Sequence, residues 1–281
     1  MTLRGHLQWP LRIIPKADSM AEPIDGKLKE TSRRRFLRTL AVAGVGAGLG
    51  EILLAKLGEA SPASVDPVAE HQWAFVIDLR RCDGCGGCTT ACQKEHYLSK
   101  EQEWIKIYKI TDPDGQDHFM PRLCMHCENA PCFRVCPVSA TFMAADGVVL
   151  VDQNKCIGCR MCMAACPYEA RYFNWSEPPP APKGLMPTMP EYPVPQVKGT
   201  VGKCILCVHR TVVGKLPACV EGCPMKALYI ADMKTDVATN GQETVKLSQF
   251  LRDNDAIRYR EELGTHPRVY YILGHAQNLN F

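Results

Sequence analysis

Cys156-Ile157-Gly158-Cys159-Arg160-Met161-Cys162-Met163-Ala164-Ala165-Cys166-Pro167 sets three cysteines at two-residue gaps, adds a fourth after three more residues, and closes on proline. The arithmetic recurs outward from it. Cys82, Cys85, Cys88 and Cys92 repeat the spacing with Gln93 where the proline stands. Cys124, Cys127, Cys132 and Cys136 stretch one gap to four residues, and Cys204, Cys207, Cys219 and Cys223 stretch it to eleven; Pro137 and Pro224 follow. All sixteen cysteines of the 281 residues are used, four to a group. With 46% hydrophobic and 22% charged residues the chain is neither disordered nor collagen-like. Residues 1–60 hold 10 of the 33 Lys and Arg against 6 of the 30 Asp and Glu, so the remainder is balanced and carries no nucleic-acid footprint.

The spacing is the bacterial ferredoxin pattern, and it has a mechanical reason. Three thiolates on one tight loop wrap three irons of a cubane; the fourth begins a helix, points away and serves a different cluster. The groups therefore pair. Residues 140–152 hold two β-rich runs around Asp146-Gly147, a hairpin tying the second group to the third. The same two runs appear apart as 73–78 before the first group and 227–232 after the fourth. The outer groups then form a second unit, split by insertion of the first. One cluster is expected on Cys82, Cys85, Cys88 and Cys223, and a second on Cys204, Cys207, Cys219 and Cys92. The inner pair is expected on Cys124, Cys127, Cys132 with Cys166, and on Cys156, Cys159, Cys162 with Cys136.

The predicted fold class is α+β: two interleaved bacterial-ferredoxin-like units, each with two [4Fe-4S] clusters, plus a Pro-rich insertion and a C-terminal extension. The outer unit spans 73–123 and 200–232, the inner 124–173, the insertion 174–199, and a docking tail 233–281. Zinc is the first rival, but a third cysteine two residues beyond a Cys-x2-Cys pair has no place in its two-pair geometry. Disulfides between cysteines so close would make strained loops. Covalent haem is excluded, since no Cys-x-x-Cys precedes His. Lys155, Lys203 and Arg160 adjoin cysteines and are candidates for raising cluster potentials or are plain solvated charges; His126, Met125 and Met161 read as packing against the cluster loops. Cubane redox needs no substrate pocket, and no catalytic residue is expected.

Outside the cysteine groups, Ser32-Arg33-Arg34-Arg35-Phe36-Leu37-Arg38 precedes an apolar, Gly-rich stretch and then small residues. This order predicts an export signal over residues 1–60, and the paired arginines resemble the twin-arginine motif. No cleavage site stands out, which leaves open its retention as an anchor. Eight prolines from Pro178 to Pro195 predict a surface excursion, either a strap on a partner subunit or a plain linker. Residues 245–263 show partly helical apolar spacing, a docking or capping helix, and 266–273 read as extended. No apolar run of about 18 residues follows the signal.

The four groups, with four residues in the stretched gap of the second and eleven in the fourth, resemble the four-cluster iron–sulfur subunit of the complex iron–sulfur molybdoenzyme family. The resemblance covers Trp73 to about Asp232 and reaches Arg268-Val269-Tyr270-Tyr271. It implies four [4Fe-4S] clusters and a relay of electrons between a molybdopterin-type subunit, or a multihaem cytochrome c, and a quinone-interacting, NrfD-like membrane subunit. Location on the periplasmic face follows from the signal. Tyr172-Phe173-Asn174-Trp175 and Gly264-Thr265-His266-Pro267-Arg268 are similar to the periplasmic quinone reductase type. The alternatives are a freely diffusing polyferredoxin and a zinc-bound structural module.

Overall fold

The computed structural model describes residues 71–111, 115–180, 182 and 189–274. The export signal expected over 1–60 lies outside the described residues, as do 181 and 183–188 of the insertion and 275–281 of the tail.

The cysteine groups share one local conformation. In each, the residue before the second cysteine is left-handed: Gly84 (φ 76°), His126 (43°), Gly158 (71°) and Leu206 (55°). That turn curls the loop so that its sulfurs face one centre. A helix follows in each group: α1 Gly87–His96, α2 Pro131–Arg134 and α3 Met161–Ala164, then in the fourth group α4 Val208–Thr211 and α5 Ala218–Glu221. After α2, α3 and α5 come Cys136-Pro137, Cys166-Pro167 and Cys223-Pro224. Three residues past each of these cysteines, Ser139, Glu169 and Lys226 are left-handed again, and each N–H donates to the cysteine carbonyl at 3.3 Å. Proline lacks an N–H and clashes with the preceding turn, so these helices stay at four residues. Gln93 imposes no such stop, and α1 runs to ten residues.

The two runs flanking the outer groups come together as expected. β1 Trp73–Asp78 pairs antiparallel with β8 Leu228–Asp232, with Phe75 opposite Ile230. The inner hairpin is β4 Thr141–Met143 against β5 Val149–Val151. At its turn the Asp146 carboxylate accepts the Val148 N–H at 2.9 Å, and Gly147 takes φ 82°. A Cβ at Gly147 would stand 1.5 Å from Arg268 Nη1. Among the described residues the content is mixed α and β, in line with α+β.

Within the expected docking tail, 233–281, residues 233–272 contribute to the sheet. β9 Val237–Thr239, β10 Thr244–Lys246, β11 Ile257–Arg258 and β12 Val269–Ile272 join it in the order β10-β9-β8-β1-β12-β11, with β12 parallel to β1. The helix expected over 245–263 is confined to α6 Leu247–Asp253, because Val245 and Ile257 lie in strands. Leu247, Phe250 and Leu251 bury one face within two turns; Asp253-Asn254-Asp255 then favours a turn, with Asp255 at φ 46°. Phe75 and Ile77 face the core that contains the cysteine loops, and Ala74 and Val76 face a second core beneath α6. Coverage on both faces is why β1 reads as an unbroken apolar run.

Two features were not foreseen. β2 Lys106–Thr111 and β3 Asp117–Arg122 form a hairpin between the first two groups, where Arg122 lies 3.6 Å over the Tyr108 ring. The end of the Pro-rich insertion is pinned to its own chain rather than lying loose on the surface. β6 Tyr172–Phe173 pairs with β7 Val201–Gly202 at its base, the Tyr192 hydroxyl donates to the Glu95 carbonyl at 3.1 Å, and Val194 and Gln196 are buried. No helix among the described residues is long and apolar enough to cross a membrane.

Candidate metal centres

Each quartet is assembled from two groups. Cys82, Cys85 and Cys88 meet Cys223 around one small void, the first quartet. Cys124, Cys127 and Cys132 meet Cys166 around another, the third, and Cys156, Cys159 and Cys162 meet Cys136 around a further one, the fourth. The second quartet is the most enclosed: Cys92, Cys207 and Cys219 are buried, and the Cys92 and Cys219 sulfurs act on those of Cys204 and Cys207. The structure thus draws together each of the four expected ligand sets.

The quartets stand in a series. Cys88 and Cys92 lie one turn apart on α1 and serve the first and second. The Cys204 thiol of the second feels the Cys124 sulfur of the third more than any other charge. Cys132 and Cys136, and Cys162 and Cys166, divide one turn each between third and fourth. Cys85 and Cys159, one at each end of the series, are the two exposed cysteines.

Burial dominates the electrostatics. It pushes the Cys88, Cys127 and Cys207 thiols up to about 12 and Cys204 to about 11, with neighbouring sulfurs adding to the effect. Such thiols do not ionise unaided; a multivalent cation among them would favour the thiolate form. Cys136 goes the other way. Burial opposes its ionisation, but backbone N–H groups at Thr141, Val138 and Ala140 overcome that and lower it.

The charged and packing candidates divide. Lys203 is buried, and its Nζ donates to the Cys204 carbonyl at 2.6 Å and to the Val149 carbonyl. Lys155 is a surface partner of Asp152 at 3.3 Å, while Arg160 stacks at 4.8 Å over Trp175 and 5.3 Å over Phe173. Met125 and His126 are buried, as packing requires; Met161 is 55% exposed and does not pack. Sequence reasoning missed Arg171 and His96. Arg171 lines the third quartet's void. It stands five residues past Cys166, where the second and fourth groups have Thr141 and Leu228, and comparing the repeats would have found it. His96 Nε2 lies 3.2 Å from Cys207 Sγ, a contact made only because α1 runs past Gln93.

The donor set fits polynuclear iron. All sixteen cysteines are free of disulfides. Among the described residues no three Cys, His, Asp or Glu side chains close on a single point tightly enough for one ion, as zinc with Zn–S near 2.3 Å demands. Sulfurs spread around a void suit a cluster whose irons are each bound separately.

Comparison with known proteins agrees. Two models of a 4Fe-4S dicluster domain match, one over residues 81–140, the other over 116–179 and 191–233. One subunit of the selenate reductase of Mesobacillus selenatarsenatis is 35% identical over 292 residues, covering 87% of this chain and 98% of that protein. One subunit of the tetrathionate reductase of Salmonella typhimurium is 36% identical over 250 residues, with 86% and 88% covered. The iron–sulfur cluster-binding subunit of the menaquinone reductase of Nitratidesulfovibrio vulgaris is 36% identical over 226 residues, with 72% and 88% covered.

Proposed function

Because the chain belongs to the 4Fe-4S dicluster family of iron–sulfur electron-transfer subunits of oxidoreductase complexes, we propose that it carries four [4Fe-4S] clusters in series. In this reading it relays single electrons between a molybdopterin-type or multihaem cytochrome subunit and a quinone-interacting, NrfD-like membrane subunit. The ligand sets are the four quartets, and the units interleave: β1 and β8 frame the outer pair, β4 and β5 the inner. One observation carries the reading. Of sixteen cysteines the two exposed ones, Cys85 and Cys159, sit in the first and last quartets, so a series with covered middle members opens at both ends.

A bound [4Fe-4S] cluster exchanges one electron and needs no proton. The chain's own part is to hold the sulfurs, keep water from the middle quartets and, by placing ligands of two quartets one helical turn apart, tie the first site to the second and the third to the fourth. Relatives named as subunits of selenate, tetrathionate and menaquinone reductases support a quinone-linked complex. The paired arginines at Arg33 and Arg34 support export to the periplasmic face.

The test is purification of the native protein from membranes, with iron counted and partner subunits identified. About sixteen irons per chain, together with co-purifying pterin or cytochrome and membrane subunits, is the expected result. A colourless chain refutes the clusters, and a loaded chain isolated alone makes it a diffusing polyferredoxin.

A further inference from the structure

Arg171 lies between the third and fourth quartets. It is 5% exposed; Nη1 donates to the Thr141 hydroxyl at 3.2 Å, and Nη2 is buried with no hydrogen-bond partner. Among the described residues no Asp or Glu pairs with it. An isolated buried guanidinium costs several kcal/mol, so its compensating negative charge has to be close by. The groups in reach are sulfurs. The guanidinium borders the third quartet's void, and its charge acts on Cys132 and Cys124 of that quartet and on Cys162 of the fourth.

Lys203 repeats the arrangement one junction earlier. It too is buried without a carboxylate among the described residues, and its ammonium bridges the carbonyl of Cys204, in the second quartet, and that of Val149, in the wall of the third. Two successive junctions therefore each hold one buried, unpaired cation, while the first and second quartets are joined through α1, which carries Cys88 and Cys92, and through α5, which carries Cys219 and leads into Cys223.

We propose that Arg171 is a positioning residue for electron transfer, the shared counter-cation of the third and fourth clusters that raises both reduction potentials, with Lys203 doing the same for the second and third. A fixed positive charge favours the reduced, more negative form of each neighbour it touches. Arg171 suits the place because its planar fork spans two sulfur sets and keeps its charge at any working pH. The inference rests on the four-cluster reading.

The test is potentiometric titration of the whole complex followed by electron spin resonance, each signal assigned by replacing one ligand cysteine. In Arg171→Gln the third and fourth reduction equilibria each fall at least tenfold, about 59 mV for one electron, and the first stays put. In Lys203→Gln the second and third fall and the fourth stays. Arg171→Lys keeps the charge, and its potentials stand above those of the glutamine variant. Unmoved potentials in a fully loaded Arg171→Gln, or an equal fall in all four, overturn the proposal. If that variant fails to load iron, native chain labelled with guanidino-15N arginine decides. Among the described residues Arg171 is the one arginine bordering the third quartet's void, so a 15N coupling on the third reduced cluster is expected and its absence overturns the proposal. An iron count well short of sixteen in the unaltered chain sinks the four-cluster reading itself, and the two failures are thereby told apart.

Discussion

Gly86 and Gly158 each adjoin an exposed cysteine in a left-handed conformation, φ 75° and 71°, yet their surroundings differ. A Cβ on Gly86 meets nothing within 4 Å; on Gly158 it would stand 2.2 Å from the Gly199 carbonyl oxygen. Alanine at Gly86 therefore costs only the left-handed penalty, about 1–2 kcal/mol. Alanine at Gly158 carries the same penalty and must also push its own backbone and that of Gly199 about 1 Å further from each other. Gly199 is held where it is by its N–H on the Asn174 carbonyl at 2.8 Å, next to the Thr200 carbonyl that accepts the Asn174 N–H at 2.9 Å. Losing one or two such bonds adds about 1 kcal/mol each, for a total of about 2–4 kcal/mol. Unfolding of a cluster protein is irreversible, so the assay is the rate of bleaching of visible absorption at one temperature. With these hydrogen bonds already broken in the transition state, the difference of about 1–2 kcal/mol makes Gly158→Ala bleach about five- to thirtyfold faster than Gly86→Ala. Its fourth cluster should go first. Equal rates, or faster loss in Gly86→Ala, would show that the approach of Gly158 to Gly199 does not hold the fourth quartet in place.

Cys166 lies in the third cysteine group but lines the third quartet with Cys124, Cys127 and Cys132. Cys166→Ser should alter the spin-resonance signal of the third cluster and spare the fourth; the reverse pattern refutes the exchange of ligands between groups. Gln153 is buried, donates to Gln196 Oε1 at 2.6 Å and accepts the Val197 N–H at 2.9 Å. Gln153→Ala removes the acceptor of the Val197 N–H and one of the two donors to Gln196 Oε1, and it should cost about 2 kcal/mol and speed proteolytic cutting within 174–199; an unchanged digestion pattern counts against the anchoring. Stripping the iron with a chelator should abolish cooperative unfolding seen by circular dichroism, because Cys88, Cys92, Cys127, Cys132, Cys162, Cys219 and Cys223 belong to the main core. An apo chain with native ellipticity and a sharp transition would contradict this.

The cysteine groups were legible because their spacing is local: in three of them the first and last cysteines lie ten to twelve positions apart, and in the fourth nineteen. The β1–β8 pairing was legible as a copy of the inner hairpin with its halves separated. What stayed hidden depends on contacts far apart in the chain. The β2–β3 hairpin carries Lys106, Lys109, Asp117 and Arg122 on half-exposed strands, so no apolar alternation announces it. Eight prolines argued for a loose excursion, yet the amides of Gln153, Asn174 and Gln196 hold its end, and nothing in the local composition marks amides 22–44 residues apart as partners. The closing strand β12 looked like the end of a tail because its partner, β1, is nearly 200 residues away.

The departure of the first group from its three companions is informative for the same reason. A proline at 93 would have ended α1 after one turn, as Pro137, Pro167 and Pro224 end theirs. Glutamine there lets the helix continue, and the Gln93 amide donates to the carbonyls of Lys100 and Gln102 at 3.2 and 3.1 Å, fixing the chain that leaves it. The extra turn delivers Glu95 and His96. Glu95 binds His209 and Arg210, each at 2.8 Å, clasping α1 to α4. His96 packs 4.8 Å from the Trp104 ring and brings Nε2 to Cys207 Sγ. Burial pushes its imidazolium down to about 3, so the ring is neutral and has one N–H to place. Nδ1 is buried without a partner, which leaves Nε2 as the position where that N–H finds an acceptor, the ligand sulfur. One missing proline thus lets α1 clasp α4 beside the second quartet and gives one of its sulfurs a donor, so that part of that quartet's surroundings is written into the first cysteine group.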